Sequence, residues 1–99
     1  MDLSEFRVSL KAERPPHGLA PLLLALWHEA RGDWGRAHEI VQGERGKAAA
    51  RVHAYLHRKE GDSSNADYWY ARSGAERPRG ALDKEWESLV QSFLAEHKA

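Results

Sequence analysis

The sequence predicts an all-α domain built on two helix–turn–helix repeats, and three observations carry that prediction. Apolar residues recur at helical spacing, and no stretch alternates like a strand between turn signals. Glycine followed by aspartate interrupts the pattern at Gly32-Asp33 and again at Gly61-Asp62, the signature of a helix stop followed by a helix start. The stretches around these breaks also match each other. LALWHEARGDWGRAH (24–38) aligns without gaps on HAYLHRKEGDSSNAD (53–67), with identical pairs at Ala25/Ala54, His28/His57, Gly32/Gly61, Asp33/Asp62 and Ala37/Ala66.

Each element follows in order. Residues 2–13 read as a helix capped by Asp2, with Glu5 as its capping-box partner and Leu3, Phe6 and Leu10 on one face. Pro15-Pro16 ends it. Residues 19–31 are apolar on most sides, as expected of a buried helix. Gly32 stops that helix and Asp33 caps the next, Trp34 to about Gln42. Gly43 and Gly46 mark a break before a helix over 47–60, which Gly61 closes. Asp62, Ser63 or Ser64 caps a helix to about Ser73, and residues 74–80, with Pro78, form a loop. The last helix spans about 82–97, its stripe made by Leu82, Trp86, Leu89, Val90, Phe93, Leu94 and His97.

Length and composition narrow the function. A chain of 99 residues with 41% hydrophobic and 30% charged content suits one globular domain. Fifteen basic residues balance fifteen acidic ones, which argues against a general nucleic-acid or membrane-surface binder. The absence of cysteine removes disulfides, thiolate metal sites and cysteine nucleophiles. The N-terminal stretch carries Asp2, Glu5 and Arg7 and has no apolar signal-like segment. The longest apolar run, Leu19 to Trp27, is too short to span a bilayer. A cytoplasmic protein is the expectation.

The matched units resemble tetratricopeptide-type or Sel1-type helical repeats. Gly32-Asp33-Trp34 with Ala37, and Gly61-Asp62 with Ala66, match that family's inter-helix turn and small second-helix residue, and Ala25 and Ala54 match its small first-helix position. The offset of 29 residues, 57 minus 28, is shorter than the family's period of about 34. Pro21, Ala50 and Ser63 stand where the family often has aromatic residues. The stretch HAYLHRKEGD…NADYWYAR is also similar to that of a small bacterial protein family with no established activity. The resemblance implies repeats over about 19–43 and 47–73, a capping helix over about 82–97, and a groove that receives a protein or peptide. In that groove Arg51, Tyr55, Arg58 and Lys59 face the ligand, with Tyr68 of the Tyr68-Trp69-Tyr70 run as a further contact. On this reading Arg58→Glu removes partner binding and leaves the fold intact. The apolar face made by Leu22, Leu23 and Leu26 needs a cover, either the N-terminal helix or a second copy of the chain in a homodimer.

Metal binding is the alternative. His53, His57 and Glu60 are spaced by four and then three residues, which puts them on one helical face. Imidazole and carboxylate ligands there suit zinc or nickel, with His28 as a further candidate. The competing reading of these histidines is packing. Catalysis has little support: no nucleophile elbow and no phosphate loop is present. A small hydrolase or nuclease stands as the third class, and no cofactor beyond the alternative metal is expected.

Overall fold

The protein is described by a computed structural model covering residues 1–96. The described residues form six helices: α1 (Leu3–Ser9), α2 (Pro21–Ala30), α3 (Trp34–Gln42), α4 (Lys47–Glu60), α5 (Ser63–Ser73) and α6 (Leu82–Glu96). The all-α class is as expected, while His97, placed by sequence at the end of the last stripe, lies outside the described residues.

The caps explain the boundaries. Asp2 accepts from the Glu5 amide at 2.8 Å and the Glu5 carboxylate accepts from the Asp2 amide at 3.1 Å, a complete capping box. Helix α1 nevertheless stops at Ser9, short of the expected residue 13. The Ser9 hydroxyl turns back to the Phe6 carbonyl and accepts from the Trp27 indole, so the chain leaves the helix before Pro15-Pro16 forces it to. Helix α2 begins at Pro21, whose missing amide costs nothing in the first turn. The two Gly-Asp turns share one geometry. Gly32 and Gly61 take φ of +88° and +90°, and Asp33 and Asp62 cap α3 and α5 by accepting from the amides of Arg36 and Asn65. The amides of Asp33 and Asp62 bond back to the carbonyls of His28 and His57 at 3.0 and 2.9 Å. Helix α4 differs: it starts after Gly46 with no side chain capping it.

Helices α2–α3 and α4–α5 pair as hairpins, and α6 crosses back over α2 and α4 while also packing on α1. The main core joins Phe6 of α1, Leu23, Leu26 and Trp27 of α2, Leu56 of α4 and Trp86, Leu89, Val90 and Phe93 of α6. Leu23 and Leu26 of the apolar first-hairpin face are thereby buried within the chain, and Leu22 is partly buried against the same core. Among the described residues only Met1, Val8 and Tyr68 are large apolar side chains left exposed. No helix among them is long and apolar enough to cross a membrane.

Two buried carboxylates tie α6 and α2 to α4. Glu85 accepts from Arg58 at 2.8 Å and from the Tyr70 hydroxyl at 2.6 Å, and Arg58 also donates to the Gly80 carbonyl. Glu29 accepts from Tyr55 and is paired with Lys59. Burial, and then Glu29, push the Tyr55 hydroxyl far above its ordinary range, so it stays a donor.

Candidate metal centre

Three imidazoles meet where α3 runs against α4. His38 projects from α3 and His53 and His57 from α4, one turn apart. Each offers one nitrogen to a set whose atoms lie within 4.8 Å of one another. The Nε2 atoms of His38 and His53 are 3.0 Å apart, so one ring holds a proton that the other accepts. His53 and His57 are 7% and 6% exposed and His38 is partly buried.

Aromatic residues clamp the rings. Trp34, one turn before His38 on α3, stacks on it at 4.8 Å between centroids. Trp69 of α5 stacks on His53 at 3.9 Å, and the His53 and His57 rings lie 4.9 Å apart, nearly parallel. The Trp34 indole is itself fixed by donating to the Leu56 carbonyl at 2.7 Å. Rings held on both sides lose little rotamer freedom on taking a ligand, which favours a preformed site.

Glu60 orients His57. Its carboxylate lies 2.6 Å from Nδ1, and a carboxylate there only accepts, so Nδ1 donates to it and Nε2 is the nitrogen left for a ligand. Carboxylate support of an imidazole in this way recurs around ligating histidines. Glu60 is thus placed by the structure beside the cluster rather than in it. A second set, His57, Glu60 and Asp62, also comes within 4.8 Å. Its acidic groups already serve other ends: Glu60 holds His57, and Asp62 caps α5, the Asn65 amide holding its carboxyl below the usual range.

Burial, with repulsion from His38 and His57, lowers His53 to about 4, and burial followed by His57 lowers His38. Both are neutral at pH 7, the form that binds metal.

The other residues singled out by sequence lie elsewhere. His28 is outside the cluster, its ring edge-on to Trp27. It is the counterpart of His57 in its hairpin, but the position matching Glu60 is Arg31, a cation where the other hairpin has a carboxylate. Burial and then Arg36 lower its pKa. Three of the residues expected to line a groove are engaged within the chain. Tyr55 is 2% exposed and bonded to Glu29, Arg58 is tied to Glu85, and Lys59 is paired with Glu29. Glu29 of α2 engages Tyr55 and Lys59, and Glu85 of α6 engages Arg58, so these α4 side chains face elements of the same chain. Arg51 is partly exposed on α4, and Tyr68 is exposed on α5 under Arg72. Tyr68, Trp69 and Tyr70 separate as their helical angles demand, into solvent, onto His53, and onto Glu85.

No protein-family model, curated protein or solved structure matches this chain. The site's own chemistry therefore carries the functional reading.

His38 is the residue that sequence reasoning missed. A signal existed: it stands five residues before Gly43 while His53 stands seven after Gly46, and helices joined by so short a break run antiparallel, bringing such positions level.

Proposed function

We propose that this protein binds a divalent transition metal, zinc or nickel, through His38, His53 and His57. The observation that carries the reading is the convergence of three imidazoles from two helices, with one of them oriented by a carboxylate. Imidazole nitrogen suits these metals, and three protein ligands leave a fourth position for water or another ligand. Two nitrogens about 2.05 Å from a tetrahedral zinc stand about 3.3 Å apart. The His38–His53 separation of 3.0 Å needs to open by only a few tenths of an ångström, the metal replacing the shared proton.

The test is zinc titration, by calorimetry and native mass spectrometry, of untagged protein stripped with a chelator. The wild type is expected to take one zinc per chain. His38→Ala is expected to lose stoichiometric uptake while keeping its helical circular dichroism. Glu60→Gln is expected to weaken binding by roughly ten- to a hundredfold, the usual cost of losing such support. His28→Ala is the control and keeps wild-type uptake. Equal uptake by wild type and His38→Ala would sink the proposal.

A further inference from the structure

Beside the histidine cluster, on the side of His53 and the α3–α4 break, lies a cavity of about 690 Å³. That is within the range of small-molecule sites. Its charge is one-sided. Arg45, Lys47 and Arg72 line it against a single acidic side chain, Glu44, giving +3 − 1 = +2 in a chain whose formal net charge is zero. Among the described residues none of the three cations is in an ion pair with a carboxylate. The protein's other basic side chains on helices are often so paired, as Arg7, Arg36, Arg58, Lys59 and Lys84 are.

We infer that this cavity binds a small molecule carrying a phosphate group. A surplus of two positive charges matches a phosphate dianion better than a single carboxylate, and guanidinium forks suit its oxygens. Arg72 is held in place for this. Its guanidinium lies 5.5 Å over the Trp69 ring and it donates to the Tyr68 hydroxyl, so it leaves other N–H groups to donate. The cavity exceeds the size of phosphate alone. Val41 and Ala49 supply apolar wall for the rest of the ligand, while Trp69, covered by His53 on one face and Arg72 near it, offers no free stacking surface. The ligand is thus a compact phosphate ester rather than one that needs a base stacked on an aromatic ring.

The inference goes beyond the metal reading and does not depend on it, so the experiment uses chelator-treated protein. Inorganic phosphate, the probe for the charged end, is titrated at low salt while backbone amide shifts are followed by NMR. The amides of residues 44–47 and of Arg72 are expected to shift saturably. Arg45→Glu, on an exposed loop where the fold does not need it, is expected to weaken binding by roughly tenfold or more, as loss of a charge-assisted bond does, and Arg72→Ala likewise. Arg36→Glu on the exposed side of α3 is expected to leave binding unchanged. Acetate, a monoanion, is expected to bind roughly tenfold more weakly or worse. No saturable shift, equal affinity in Arg45→Glu, or acetate as tight as phosphate overturns the inference.

Discussion

Replacing Arg58 by alanine is expected to destabilise the fold by about 3–5 kcal/mol, the usual cost of stripping one partner from a buried ion pair. Glu85 is 5% exposed and would keep only the Tyr70 hydroxyl as donor, with no cation to offset its charge. The Gly80 carbonyl, at the mouth of the loop leading into α6, loses its donor too. A domain of this size has only about 5–15 kcal/mol of total stability, so the melting temperature should fall by at least about 12 °C. Urea unfolding followed by circular dichroism measures it. Arg58→Lys restores charge but cannot reach both acceptors and should fall between the two. A loss below about 1 kcal/mol would mean that Glu85 is hydrated and does not hold α6 through this pair. Arg58→Glu, which a groove reading treats as harmless to the fold, should be the worst of the series, since it sets two carboxylates together.

Acidification is expected to destabilise the metal-free protein by about 3 kcal/mol between pH 6.5 and 4. The folded state holds His53 at about 4, against 6.5 for an ordinary histidine, through burial and through the facing rings of His38 and His57. Within that window the unfolded chain binds more protons than the folded one, so protons favour unfolding. The stability is fully present above pH 6.5, falls as the pH drops below it, and stops falling through this group below about pH 4. Glu60 beside His57 is the acidic group at the cluster, and it softens the repulsion on His38. Urea midpoints at pH 7.5, 5.5 and 4 give the slope (conditions chosen at about these values to bracket the transition). His53→Gln should flatten it, and an unchanged slope in that variant would place the acid sensitivity elsewhere.

The fold and the site were legible to different depths. Local chemistry fixed the hairpins: Gly32-Asp33 and Gly61-Asp62 carry both the stop and the start, so α3, α4 and α5 begin and end where their residues say. The end of α1 was not legible, because the Ser9 hydroxyl is engaged by Trp27, eighteen residues away. The place of α6 was not legible either. Its stripe says that it buries one face, but not that Glu85 and Trp86 come down on α4 and α2, where Trp86 donates to the Leu26 carbonyl. That docking turns Arg58 from a surface residue into a tie to Glu85. The site was half visible. Periodicity within one helix gives His53, His57 and Glu60, but joining His38 to them requires knowing how two helices lie together.

The ring stack has one more consequence, an optical one. Trp34 and Trp69 flank the histidines, whereas Trp27 and Trp86 belong to the main core with Phe6. A cation bound between the first two indoles changes the emission of half of the chain's tryptophans, while the other half stands in the main core away from it. The molecule therefore carries an intrinsic fluorescent reporter at its candidate centre, with an internal reference in the same spectrum.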